Sequence, residues 1–247
     1  MYPTRPRSAL RTAVVWEVLR AALDRQAAAL GRPVLDVLDT GGGTGNFAVP
    51  VASLGHRVTV VDPSPDALFA LERRAAEAGV TGQIRAIQGD TDTLAQQVAP
   101  GSVDAVLCHG VLEVVDNPAE SLRDLTAVLR PGGLVSLLAA NRNGAVLARA
   151  LSGHFAEAKA ALAGVEKSDA PRRFTGAELR ALADGAGLSV LSVHGVRIFA
   201  DLVPGVLVDT EPGALDALLA LEQAASEDPS FHAVATQLHV LAELAQG

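Results

Sequence analysis

Asp39-Thr40-Gly41-Gly42-Gly43-Thr44-Gly45 places an acid two residues ahead of four glycines in five positions, directly after the aliphatic run Val34–Leu38. Residues without a Cβ let a ligand come against the main chain, and a helix starting near Gly45 offers N–H groups that have no intrahelical partner. The chemistry of such a loop is close binding of a polar small molecule. A loop that merely turns tightly needs fewer glycines. Two familiar fingerprints are excluded by spacing. G-x-G-x-x-G beginning at Gly41 requires glycine where Asn46 stands, and no G-K-[ST] of a phosphate loop follows. Two further groups of acids sit at comparable places. Asp62 closes the next aliphatic run, and Asp90, Thr91 and Asp92 follow the third, where caps and Asx turns are the plain reading.

The elements that must hold these residues can be read from the pattern around them. Short aliphatic runs alternate with longer segments of helical period, which predicts an α/β fold: a doubly wound, mostly parallel sheet with helices on both faces. Strands are expected near Val34–Leu38, Arg57–Val61, Gln83–Gln88, Asp104–Cys108 and Gly133–Ala139, the first four buried on both faces. Ser64 and Pro65 fit the N-cap and first position of a helix whose inward stripe is Leu68, Leu71, Ala75 and Ala78, with Gly79 ending it. Asn117 and Pro118 start a second helix, with Leu122, Leu125, Val128 and Leu129 inward and Arg130-Pro131-Gly132-Gly133 as its stop. Beyond Ala140, residues 141–162 read as a helical insertion and 176–199 as a helix, a glycine turn and a strand pair or one long strand. Residues 232–244 read as a closing strand despite a composition that also suits a helix. With no repeat or long linker, 1–247 is expected to be one domain. It would comprise a helical segment 1–31, a ligand-binding core 32–140 and a C-terminal part 141–247.

Composition narrows the function classes. The 28 acidic and 20 basic side chains give a net charge of -8, which opposes non-specific attraction to polyanions and anionic membranes while leaving room for a local basic patch. Cys108 is the only cysteine, so no intrachain disulfide forms. The six histidines lie far apart without a metal-ligand spacing, so no metal is expected. Arg11, Glu17 and Arg20 interrupt any signal-like apolar region, and no apolar run is long enough to span a bilayer. The expected compartment is the cytoplasm.

Taken together, the acid and glycines of 39–45, Asp62 at the second strand end and the acid loop 90–92 resemble the class I S-adenosylmethionine-dependent methyltransferases. The resemblance implies a seven-stranded Rossmann-like sheet and S-adenosylmethionine as cofactor, held by Gly41, Gly42 and Gly43. It implies that Asp62 takes both ribose hydroxyls, since a carboxylate can accept from a cis-diol. It also implies that Asp90, with Thr91 and Asp92 beside it, meets the adenine. A narrower resemblance, to bacterial methyltransferases of 5-carboxymethoxyuridine in transfer RNA, is carried by "LRTAVVW", "LDTGGGTGN", "CHGVLEVVDNP", "LRPGGLVSLL", "NRNG" and "GVRIF". It implies that Arg11 binds the carboxylate of the cofactor's methionine portion, a match for a guanidinium fork. His109, just past the fourth strand, is expected to contact cofactor or substrate more than to transfer a proton, a buried and satisfied histidine being the alternative.

A carboxylate acceptor calls for cations, and the candidates are Arg142, Arg172, Arg173 and Arg197, with Asn141 and Asn143 as possible hydrogen-bonding partners. Arg172 and Arg173 read equally as a solvated pair, and the two asparagines as a polar turn. No catalytic base stands out, which agrees with a nucleophile already ionised at neutral pH. The segment "AEAKAALAGVEKSDAPRR" interleaves acids where the transfer-RNA enzymes are lysine-rich. The expected partner is therefore transfer RNA or, as the alternative, a small-molecule carboxylate or hydroxyl acceptor. A nicotinamide dehydrogenase is disfavoured by the broken glycine spacing.

Overall fold

The computed structural model describes residues 9–165 and 170–245, without the side chains of Ala9 and Asp92. Seven strands, β1 (Asp36–Thr40), β2 (Arg57–Asp62), β3 (Ile84–Gln88), β4 (Val103–His109), β5 (Leu129–Ala140), β6 (Leu188–Val196) and β7 (Gln237–Leu244), form one sheet in the order β3-β2-β1-β4-β5-β7-β6. The pairs β1–β2, β2–β3, β1–β4 and β4–β5 are parallel. The chain winds outward from β1 to β3 and returns to set β4 on the other side of β1. Between the carboxyl ends of β1 and β4, therefore, lies the switch point at which open α/β sheets bind ligands.

Helices fill the connections: α1 (Ala9–Leu30), α2 (Ala48–Ser53), α3 (Pro65–Glu77), α4 (Leu94–Gln97), α5 (Pro118–Ala127), α6 (Arg142–Leu151), α7 (Phe155–Leu162), α8 (Gly176–Gly185), α9 (Gly205–Thr210), α10 (Ala214–Ser226) and α11 (Pro229–His232). Their boundaries follow local chemistry. Ser64 accepts from the Ala67 N–H at 3.3 Å and Pro65 opens α3, which buries Leu68, Leu71 and Ala75. Ala78 is exposed, contrary to expectation, because α3 ends at Glu77 and Ala78 is already its C-cap. Asn117 caps α5 in the same way, accepting from the Glu120 N–H at 3.3 Å.

The strands depart from the sequence pattern in three places. β1 starts two residues later than predicted: Val34 is exposed, and Asp36 opens the strand because its carboxylate pairs with Arg57 at 2.8 Å and Arg130 at 3.2 Å. β3 is not buried on both faces, since it is the sheet edge and exposes Arg85 and Gln88. Arg130–Gly133 is not a break between helix and strand. β5 begins at Leu129, which pairs with Val103, while Leu134 pairs with Ala105, so the four intervening residues bulge out of the strand opposite Asp104. The predicted insertion appears as α6 and α7. Of the strand expected over 232–244 only Gln237–Leu244 forms β7, which lies between β5 and β6, while His232 ends α11; α9 and α10 occupy a stretch with no legible pattern.

Two compact units can be distinguished. One comprises residues 19–138, 180–192 and 240–247, and has Leu38, Leu71, Leu107, Leu122, Leu125 and Leu137 fully buried, each contributing roughly 1.5–3 kcal/mol. The other comprises residues 1–18, 139–179 and 193–239; in it Leu10, Leu218 and Leu219 form a small core beside Ala13, Phe199 and Val203. Among the described residues no helix is long and apolar enough to cross a membrane.

Candidate cofactor site

The glycine loop is stapled to the sheet on both sides. The Gly41 N–H donates to the Val61 carbonyl at 2.7 Å, and the Thr40 hydroxyl to the Leu107 carbonyl at 3.1 Å. Gly41 has φ +62°, and a Cβ on it would stand 2.6 Å from Val111. A Cβ on Gly42 would stand 2.6 Å from Asp39 Oδ2 and 2.9 Å from Val60. The glycines thus serve two ends: they let the loop close over Asp39, and they leave its upper side bare. Arg74 of α3 fixes the loop's far end, donating to the Thr44 carbonyl at 2.9 Å and to Asn46 Oδ1 at 2.8 Å.

Above the bare loop is a cavity of about 450 Å³, within the range of small-molecule sites. Gly41, Asp62, Asp90, Thr91 and His109 all line it, together with Thr40, Gly89, Gly110 and Val111. The sequence reading therefore brought five of its nine cofactor candidates to one place. It missed the apolar wall formed by Val111, Val114 and Val115, and Asp116 beside it. The signal available was "GVLEVVD" immediately after β4, where a run of valines past a strand end has no helix to pack into.

Asp62 is buried at the end of β2, and its two oxygens are held by backbone donors: Gly43 N–H to Oδ2 at 2.8 Å and Ser64 N–H to Oδ1 at 2.9 Å. Each carboxylate oxygen accepts twice, so one acceptor position remains on each, suited to two adjacent hydroxyls. Asp90 is both a cap and part of the cavity wall. It caps the turn Thr91–Thr93, Oδ1 accepting from the Thr93 N–H at 3.1 Å. Thr91 is buried; the side chain of Asp92 lies outside the described residues.

Electrostatics separate the remaining groups. Asp39 is buried, and its carboxyl is pushed up to about 7, first by desolvation and then by the nearby charge of Asp62, with the Ala48 N–H pulling the other way. Burial holds His109 well below the ordinary histidine value. Its Nε2 is 2.8 Å from the Ser136 hydroxyl, and its ring meets Phe47 edge-on at 4.5 Å. A histidine so depressed is neutral at physiological pH and a weak base. Burial also pushes the Cys108 thiol up to about 12, which leaves it unreactive.

The other candidates belong to the other unit. Arg11 is exposed on the first turns of α1. Asn141 is buried and engaged within the fold: its amide donates to the carbonyls of His232 at 2.9 Å and Ala235 at 2.8 Å, and its oxygen accepts from the Asn143 N–H at 3.2 Å, capping α6. This is the polar-turn reading, and it makes Asn141 a fixed hinge between β5 and α6. Arg142 follows, paired with Glu178 at 2.9 Å and donating to the Arg173 carbonyl at 3.1 Å. Arg197 pairs with Asp201 at 2.7 Å.

Comparison with known proteins agrees with this geometry. Residues 38–137 match the methyltransferase domain family. The tRNA 5-carboxymethoxyuridine methyltransferase of Escherichia coli is 31% identical over 241 residues, spanning 96% of this chain and 89% of that protein. A ubiquinone biosynthesis O-methyltransferase of Xanthomonas campestris is 37% identical over 131 residues, 53% of this chain and 54% of that protein. The fold is that of an S-adenosylmethionine-dependent methyltransferase from Mesorhizobium loti, with TM-score 0.62 and 19% identity over 95% of this chain and 99% of that one. It is also that of the magnesium protoporphyrin IX methyltransferase of Synechocystis with bound S-adenosylhomocysteine, with TM-score 0.61 and 15% identity over 99% of this chain and 90% of that one. The chain belongs to the class I S-adenosylmethionine-dependent methyltransferases, and it is an enzyme with S-adenosylmethionine as its cofactor.

Proposed function

We propose that the protein methylates a carboxylate oxygen, that of 5-carboxymethoxyuridine at the wobble position of transfer RNA. The observation that carries this is extent: likeness to the transfer-RNA enzyme runs through 96% of the chain, acceptor-side half included, whereas the likeness to ubiquinone O-methyltransferases covers about half. In this reading the backbone of Gly41–Gly43 admits the nucleoside and Asp62 takes its ribose. Asp90, Thr91 and Asp92 meet the adenine, and Arg11 takes the methionine carboxylate. When bound, the sulfonium cofactor supplies an already activated methyl group.

The chain's own task is then to hold and orient. Transfer forms an oxygen–carbon bond as the carbon–sulfur bond breaks, leaving a methyl ester and S-adenosylhomocysteine. The acceptor's negative charge and the sulfonium's positive charge cancel, so no proton needs to move. A carboxylate is ionised at neutral pH and requires no general base, which suits a site whose histidine is a weak one. Cations then bear the work of orientation, with Arg142 and Arg197 taking acceptor oxygens while Asn141 sets the start of α6 from which Arg142 projects.

A second reading, a small-molecule carboxyl or hydroxyl acceptor, is favoured by the net charge of -8. Mass spectrometry of transfer-RNA wobble nucleosides from cells with and without the protein decides between them. Loss of the methyl ester with accumulation of the free acid is expected; an unchanged nucleoside profile would overturn the RNA reading.

A further inference from the structure

Arg197 is the only non-glycine residue with positive φ among the described residues, at +58°, a conformation that side-chain-bearing residues seldom adopt. What holds it there is buried beside it. Glu222 of α10 is 1% exposed, and its carboxylate accepts from three successive amides: Ile198 N–H at 2.9 Å, Phe199 N–H at 2.8 Å and Ala200 N–H at 2.6 Å. On the other side, the Arg197 carbonyl accepts from the Thr236 N–H at 3.3 Å. A carboxylate is costly to bury without partners, and here the partners are the three residues that follow the arginine. The turn is therefore fixed from within the fold.

The guanidinium is fixed as well. Arg197 Nε and Nη2 donate to Asp201 Oδ1 at 3.2 and 2.7 Å, and Asp201 Oδ2 in turn accepts from the Thr236 hydroxyl at 2.8 Å. One edge of the fork is consumed. Nη1 and the second Nη2 hydrogen form the other edge, the geometry that receives two oxygens of a carboxylate or phosphate.

We propose that Glu222 is a positioning residue: it locks the 197–200 turn so that the open edge of Arg197 is presented, preformed, to an oxyanion of the acceptor. This rests on the acceptor-binding reading of Arg197 given above. Glu222 is buried with its carboxylate taken up by the three amides, so its effect on the acceptor runs through the arginine.

The test is a double-mutant cycle of Glu222→Gln and Arg197→Ala, with transfer RNA from cells lacking the protein as acceptor and calorimetric titration of S-adenosylhomocysteine as the count of intact sites. Each single variant should raise the acceptor KM about tenfold, with cofactor stoichiometry and affinity unchanged. The double variant should be no worse than Arg197→Ala alone. Amide exchange at Ile198–Ala200 should quicken in Glu222→Gln while global unfolding stays cooperative. If Arg197→Ala raises KM and Glu222→Gln does not, or if their effects add, the positioning role is overturned while the arginine's acceptor role stands. If Arg197→Ala leaves KM unchanged, the acceptor role itself falls. A drop in cofactor stoichiometry with unchanged KM would mark Glu222 as merely structural and overturn the proposal. Should Glu222→Gln fail to fold, Asp201→Asn, which loosens the same guanidinium from outside, takes its place in the cycle with the same expectations.

Discussion

Replacing Asp39 with asparagine should change how stability depends on pH more than it changes stability at any one pH. The carboxyl is fully buried, so no solvent screening dilutes the effect. In the folded protein it is pushed up to about 7 from an ordinary value of 3.8, by desolvation first and by Asp62 second. A raised carboxyl means that the folded state holds its proton where the unfolded state has already released it. Between about pH 4 and pH 7, unfolding therefore releases a proton, and unfolding free energy falls as pH rises. At about 1.4 kcal/mol per pH unit, the window amounts to about 4 kcal/mol of stability present below pH 4 and lost by pH 8. Asparagine carries no such proton.

The assay is urea unfolding of both proteins without cofactor across pH 4 to 8, read as the difference between them so that every other titrating group cancels. Relative to the parent, Asp39→Asn should gain about 4 kcal/mol from one end of the range to the other, most of it between pH 5 and 7. Parallel curves would refute the reasoning. Asp62→Asn supplies an internal check: with the second cause removed, the carboxyl of Asp39 should titrate lower, and the parent's slope should shrink without vanishing.

Four further outcomes follow from the same geometry. Asp62→Ala removes the two acceptors proposed for the ribose and frees two backbone donors, and should weaken S-adenosylhomocysteine binding roughly a hundredfold, about 3 kcal/mol; unchanged calorimetric affinity would remove Asp62 from the site. Gly42→Ala puts a methyl against Asp39 and Val60 and should cost about 1–3 kcal/mol of stability in chemical unfolding. Arg11→Ala should lower cofactor affinity, whereas Arg197→Ala should spare it and raise the acceptor KM; reversed calorimetric and kinetic results would exchange their roles. Asp104, buried between Arg32 and Arg130 and accepting from the Asp36 N–H at 2.8 Å, lies at the opposite strand ends from the cavity. Asp104→Ala should cost about 1–3 kcal/mol in unfolding while leaving cofactor affinity unchanged.

What could be read from sequence was what is written locally. Ser64 and Asn117 announce their helices because an N-cap side chain bonds to an amide only three residues on. Asp62 and Asp90 could be expected beside one cavity because parallel strands deliver their ends, and the residues just past them, to the same sheet edge. The illegible parts depend on residues far apart in the chain. Asp39 meets Asp62 only once β1 and β2 pair, so its displaced titration leaves no trace in either segment. The bulge at Arg130–Gly133 resembles a helix stop until Leu129 is seen to pair with Val103. α10 escaped notice partly because Glu222 sits on its buried face, where an acid breaks the apolar stripe, and only the three amides of 198–200 explain it.

The same distinction bears on the acceptor. A net charge of -8 argues against RNA only if the charge is evenly spread, and the sequence shows that it is not. Residues 1–18 and 139–179 together carry nine Lys and Arg against five Asp and Glu, while the rest of the chain is correspondingly acidic. Those two segments share a compact unit with residues 193–239, which add one basic and seven acidic side chains, so the unit that holds Arg11, Arg142, Arg172 and Arg173 carries ten basic against twelve acidic in all. Screening limits an exposed charge to a reach of about 8 Å at physiological salt, so what a phosphate meets is set by the side chains within that reach and not by the net charge of the chain. The acidic remainder then opposes unspecific adhesion of polyanions to the other surfaces. A nucleic-acid acceptor therefore requires a basic surface narrower than the unit, and its binding must weaken steeply with salt, as attachment through a few arginine–phosphate contacts requires.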